Sequence, residues 1–259
     1  MTDPVIELAE ADDLWRRGRW HRRPPEPPTR WGPEAAAGLT LAYSYVINRV
    51  VSSSWYVPAN LTAAVAFVAL ARGLGATWTD IGLRKERLGR GVRVGLAAAV
   101  PIAAVVAAGV AIPATRKYFA DQRVIGVGAG ATVFDVLVRI PVGTAVCEEL
   151  IFRGALLGVV LRHRTPIYAV VFSSLMFGLW HVFPTLDTIH LNPVGHLVEG
   201  SPLRTAEAVA GAVAVTSAAG VGFSWLRLRA NSIAAPIIAH GVLNAAAFLG
   251  GRLVASALR

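Results

Sequence analysis

Apolar residues arrive in long uninterrupted runs, separated by short connectors that are polar, basic or rich in glycine. About 20 apolar residues in helical form cross a bilayer. Seven such runs predict membrane helices, at about 35–56, 60–72, 92–112, 142–161, 166–183, 205–226 and 233–251. The first carries Asn48 and Arg49, so either the helix ends near Ile47 or Arg49 snorkels or faces the protein interior. Pro101 predicts a kink in the third. From 131 to 161 the apolar character is continuous, and Pro141 is predicted to break or kink it, leaving 142–161 as one helix. The fifth run stops before Pro184, and a polar loop is expected over 184–204. No alternation long enough for a barrel strand occurs, and no fixed repeat. The fold class is therefore all-α: a polytopic transmembrane helical bundle of about seven membrane helices.

Composition agrees with this. Hydrophobic residues make up 54% and charged residues only 16%, against roughly 25% charged in ordinary soluble domains. The net charge of +9 raises the question of nucleic acid. The basic residues lie in clusters between apolar runs rather than along one stripe, which fits loops facing anionic lipid and no nucleic acid. Lys and Arg concentrate in the tail, across 72–93, at 162–164 and at 227–229. With seven crossings this puts the N-terminus in the cytoplasm of a multi-pass cell-membrane protein. Residues 1–34 read as a proline- and arginine-rich, disordered cytoplasmic tail, with Trp15, Trp20 and Trp31 able to touch the interface. They contain no apolar h-region, so the first span is expected to serve as its own insertion signal. The transmembrane domain covers 35–252.

Chemistry enters with Cys147-Glu148-Glu149-Leu150-Ile151-Phe152-Arg153. Ionisable groups inside an apolar span cost a few kcal/mol at least and mark functional sites. Glu149 and Arg153 are four apart, share a helix face and can pair, as can Asp135 and Arg139. Glu148 lies about 100° around the helix, off that pair, and is the candidate general base. Cys147, the single cysteine, permits no disulfide; neighbouring carboxylates and an apolar setting work against a thiolate, so helix packing is its expected role.

Two further helices each carry a polar pair with i,i+4 spacing. Phe177 and His181 share a face near the end of the fifth span, and His240 and Asn244 share one in the seventh. Converged, these faces would supply a carboxylate, two imidazoles and an amide. That set can activate a water and stabilise an oxyanion, as amide hydrolysis requires. Glu148 would take the proton with help from His181, while His240 and Asn244 donate to the oxyanion. His21 and His163 are expected to be solvated, and His190 and His196 to be surface residues.

Taken in order, Glu148-Glu149-x-x-x-Arg153, Phe177-x-x-x-His181 and His240-x-x-x-Asn244 resemble the CPBP family. It comprises the CAAX proteases and bacteriocin-processing enzymes, also called Abi proteins, and includes the eukaryotic type II CAAX prenyl endopeptidase. The resemblance covers about 130–250 and departs at none of the three motifs. It implies an intramembrane glutamate-type endopeptidase acting on a peptide or protein substrate near the membrane, lipidated or not. It places the base at Glu148, its helper at His181 and the oxyanion donors at His240 and Asn244. Glu149, Arg153 and Phe177 fall in the same motifs as supporting residues. No cofactor is expected. A zinc site at Glu148, His181 and His240 is the minor alternative, but no His-Glu-x-x-His pairing accompanies it. The rival functions are a catalytically silent membrane scaffold or immunity-type binding protein of the same fold, and an ion or proton transporter. The transporter would be expected to show internal repeats, which are not seen.

Overall fold

The computed structural model describes residues 32–191, 198 and 200–257. Expectations for tail residues 1–31, for His21 and for His196 fall outside them; residues 32–34, expected to be disordered, form the start of the first helix. Among the described residues the chain is helical throughout, without strands. The principal helices are α1 (Gly32–Arg49), α2 (Tyr56–Gly73), α3 (Leu88–Ala111), α4 (129–163), α5 (Pro166–Trp180), the short α6 (Val182–Thr188), α7 (Pro202–Ala230) and α8 (Ala234–Ala257).

Among the described residues, five helical stretches are long and apolar enough to cross a membrane: Ser53–Gly73, Trp78–Ala111, Pro166–Leu191, Pro202–Ala230 and Ala234–Ala257. Helix α1 and the charge-bearing α4 are not among them, so the expected count of about seven membrane helices is not confirmed.

Several boundaries differ from the sequence reading. Helix α2 begins at Tyr56 and α3 at Leu88, and α3 runs unbroken through Pro101. Helix α1 does end beside Asn48, at Arg49, whose guanidinium pairs with Asp187 at 2.8 Å. Pro141 does not end a helix. It lies inside a π-helical stretch, Asp135–Val146, followed by an α turn at Cys147–Glu149 and a second π stretch at Leu150–Leu156. Proline clashes with the carbonyl four residues back in an α-helix and cannot donate. The wider π register moves that carbonyl, so α4 begins at 129 rather than 142. Such stretches cluster at functional sites. Helix α5 ends at Trp180, not at 183; Pro184 sits within α6, so the expected loop is partly helical.

His163 is another correction. Its basic neighbours suggested solvent, yet it is buried. The last turn of α4 is covered by the short helix Trp78–Ile81, by α1 and by the start of α5, and a helix face packed that way excludes water whatever its sequence neighbours are. His190 is exposed, as expected.

Small residues let the helices close on one another, as in membrane bundles generally. A Cβ at Gly95 would stand 2.9 Å from the Ala235 carbonyl, and one at Gly158 2.7 Å from the Asp80 carbonyl. Gly91 meets Ser232 and Gly250 meets Val110, so α3 and α8 run parallel. Helix α8 runs antiparallel to α4: Arg252 donates to the Val127 carbonyl, and Gly241 approaches Ala145. Helices α5 and α7 pack through Gly178 and Gly220. Gly82, at φ 82°, turns the chain where Arg227 reaches the Thr79 and Asp80 carbonyls, both at 2.9 Å. The core lies where α4, α5, α7 and α8 meet, closed on one side by α1 and α2.

Candidate active site

Glu148 and Glu149 sit in the α turn between the two π stretches of α4, both buried. Glu149 is fully enclosed, and its Oε1 receives Arg153 Nη1 at 3.0 Å, also fully enclosed. This is the i,i+4 pair read from the sequence. The Asp135–Arg139 pair also forms, at 3.8 Å and closer to the surface.

The guanidinium of Arg153 gains more than one carboxylate. It lies 4.0 Å from the Phe177 ring centroid and 5.3 Å from that of Phe223. Desolvated cation–π contacts are worth up to about 2 kcal/mol. Gly220 makes room for it, since a Cβ there would come within 3.0 Å of Nη2. Phe177 is thus a wall of the guanidinium pocket.

His240, two turns into α8, reaches the same carboxylate. Its Nδ1 is 2.8 Å from Glu149 Oε1. A carboxylate already paired with Arg153 can only accept, so Nδ1 carries the proton and donates. Nε2 then points at Glu148, 3.9 Å from Oε2. The imidazole is held flat against Phe223, with centroids 4.9 Å apart and planes at 19°, and edge-on to Phe177 at 5.9 Å. His240 therefore lies between the two carboxylates.

Among the described residues no Lys or Arg forms an ion pair with Glu148, as its position on the helix implied. Its Oε1 accepts from the Trp180 indole at 3.3 Å, while Oε2 is buried and has no hydrogen-bond partner. His181 closes α5 where the helix breaks. Its Nδ1 is 2.7 Å from the Phe177 carbonyl, which can only accept, so Nδ1 donates and Nε2 is left as an acceptor. Among the described residues, His240 is the imidazole within 4.0 Å of Glu148; His181 is not brought that close. Asn244 follows His240 by one turn of α8, is half-buried and makes no side-chain hydrogen bond to a described residue.

Two participants have no motif to announce them. Phe223 looks like any apolar helix residue in α7. Trp180 had one usable signal: an indole N–H beside a histidine near the end of an apolar helix needs an acceptor. Cys147 is buried among apolar neighbours, in the packing role expected of it. A polar layer from α1 and α2 adjoins the site: Tyr43 donates to Asn60 at 2.9 Å, Asn60 to the Gly143 carbonyl at 2.9 Å, and Tyr56 meets Thr144 at 3.1 Å.

Residues 129–246 match a family model described as "Type II CAAX prenyl endopeptidase Rce1-like". No curated protein and no solved structure matches the chain. The matched segment contains all of α4, α5 and α7 and the half of α8 that bears His240 and Asn244. Five apolar helices and this match make the chain a multi-pass membrane protein. Over residues 129–246 it carries an Rce1-like domain of the type II CAAX prenyl endopeptidase kind, consistent with the CPBP family of CAAX proteases.

Proposed function

We propose that this protein is an intramembrane endopeptidase in which Glu148, His181, His240 and Asn244 hydrolyse a peptide bond without a metal. One observation carries the reading. Glu148 Oε2, buried and without a hydrogen-bond partner, faces Nε2 of His240 across 3.9 Å. Two polar atoms that far apart can both reach a single oxygen at ordinary hydrogen-bond length.

A water at that point gives a proton to Glu148, and its oxygen forms the new C–O bond to the scissile carbonyl. The Nε2 lone pair of His181 helps orient it. The carbonyl electron pair moves onto oxygen. Asn244 donates to this oxyanion through its amide. So does His240 through Nε2–H when both ring nitrogens carry a proton. Collapse returns the proton from Glu148 to the amide nitrogen and breaks the C–N bond, leaving a carboxylic acid and an amine. General-base help is worth about 10²–10⁴, and one oxyanion donor about 10²–10³.

The zinc alternative fits less well. Among the described residues no group of three or more His, Cys, Asp and Glu side chains is gathered as a metal site.

The substrate is a peptide or protein at the bilayer; the family match favours one ending in a CAAX sequence. In reconstituted protein, Glu148→Gln is expected to abolish cleavage of an internally quenched CAAX peptide, prenylated or bare, at unchanged yield and thermal midpoint. Cleavage at the wild-type rate would remove Glu148 from the role of base.

A further inference from the structure

The two oxygens of a carboxylate are chemically equivalent, and the terminal torsion of a glutamate side chain is broad and roughly two-fold. Nothing within Glu148 decides which oxygen meets a proton. The surroundings differ sharply. Oε1 receives the only donor that an indole has, from Trp180 at 3.3 Å, whereas Oε2 has no hydrogen-bond partner and faces His240.

The indole is itself fixed. Trp180 is 3% exposed. Phe152 meets its ring edge-on at 5.5 Å, and Tyr43 lies 5.9 Å away on the other helix wall. Its backbone carbonyl, at the end of α5, accepts from Ser44 Oγ of α1 at 2.8 Å. Both α1 residues lie outside the matched segment 129–246.

We infer that Trp180 is a positioning residue that pins Oε1 of Glu148, so that Oε2 is the oxygen that takes the proton. Helix α1, through Tyr43 and Ser44, holds that indole in place. The inference rests on Glu148 being the base. At 3.3 Å the contact is long for a charge-assisted bond, so its part is to choose the oxygen and fix the torsion. The active site thereby extends beyond the matched domain into the first helix.

The test replaces the indole N–H alone. Benzothienylalanine, introduced only at position 180, keeps the two-ring shape and puts sulfur where the N–H was. Trp180→Phe is its simpler companion, and Glu148→Gln is measured beside both. The probe is whichever CAAX peptide, prenylated or bare, the wild type cleaves faster. A lost hydrogen bond to a charged group corresponds to roughly a ten- to hundred-fold change. The expected result is that drop in kcat for the isostere, with KM and thermal midpoint unchanged. Wild-type kcat in the isostere beside an inactive Glu148→Gln overturns the role of Trp180 alone. So does a fall in kcat matched by a fall in thermal midpoint, which marks a packing residue. An active Glu148→Gln removes the base itself, a different failure.

Discussion

His240 Nδ1 and Glu149 Oε1 stand 2.8 Å apart although 91 residues separate them in the chain. The same oxygen takes Arg153 at 3.0 Å. One buried carboxylate thus neutralises a guanidinium and sets the tautomer of an imidazole. Glu149 is more than half of a supporting ion pair: it aims His240 at Glu148.

Removing Glu149 should therefore hurt twice. Glu149→Ala leaves Arg153 enclosed without its ion-pair partner, and breaking a buried pair in this way costs about 3–5 kcal/mol. Thermal unfolding in detergent is expected to show that loss, with reduced yield. Glu149→Gln keeps the shape and an acceptor oxygen for Nδ1. It should fold better than the alanine variant while still losing activity, because an amide can present its NH2 as well as its oxygen to Nδ1 and no longer fixes which ring nitrogen of His240 faces Glu148. Thermal midpoints equal to wild type in both variants would contradict the enclosed pair.

Asn244 offers the opposite case. It is half-buried and bonded to no described side chain, so Asn244→Ala has little to lose in folding. If its amide meets the oxyanion, kcat falls about 10²–10³ at constant thermal midpoint. A smaller loss than threefold would show that the oxyanion is held elsewhere.

Gly220 tests the guanidinium pocket from the α7 side. A Cβ there would lie 3.0 Å from Arg153 Nη2 and 3.1 Å from the Ser174 Cα. The side-chain end can move; the α5 backbone cannot without parting α5 from α7. Gly220→Ala is expected to cost about 1–3 kcal/mol, the usual range for overpacking, whereas Gly222→Ala, with open space around its position, should be close to neutral. Parallel unfolding curves decide it.

Metal dependence separates the two hydrolytic mechanisms. Activity is expected to survive exhaustive chelation and to gain nothing from added zinc. Loss on chelation with recovery on zinc would replace the metal-free mechanism.

Much of the site was legible because helix geometry is local. Spacing of four residues puts two side chains on one face whatever surrounds the helix. Hence Glu149–Arg153 and Asp135–Arg139 could be read as pairs, and Glu148 as the carboxylate left over. The cost of charge in an apolar segment likewise singled out α4 without any tertiary information.

The same reasoning failed where the deciding contact came from another helix. Pro141 was expected to break or kink the apolar run; the π register of α4, a local departure that spacing did not show, carries the chain through it. His163 was placed in solvent by its basic neighbours, yet neighbouring helices bury it. Phe223 and Trp180 have no spacing that betrays them, since a ring against an imidazole or an indole against a carboxylate depends on which helices pack together.

By itself the sequence determined the class of fold, the apolar helices, the charges that had to be hidden among them, and the pairs lying on one face. Those follow from solvation cost and helical pitch, both properties of a short stretch. Only the tertiary structure decided that α8 brings His240 between the carboxylates of α4, that α7 supplies the ring beneath it, and that α1 steadies the indole on Glu148. Those contacts are set by how closely small residues let helices approach, and that depends on both surfaces at once.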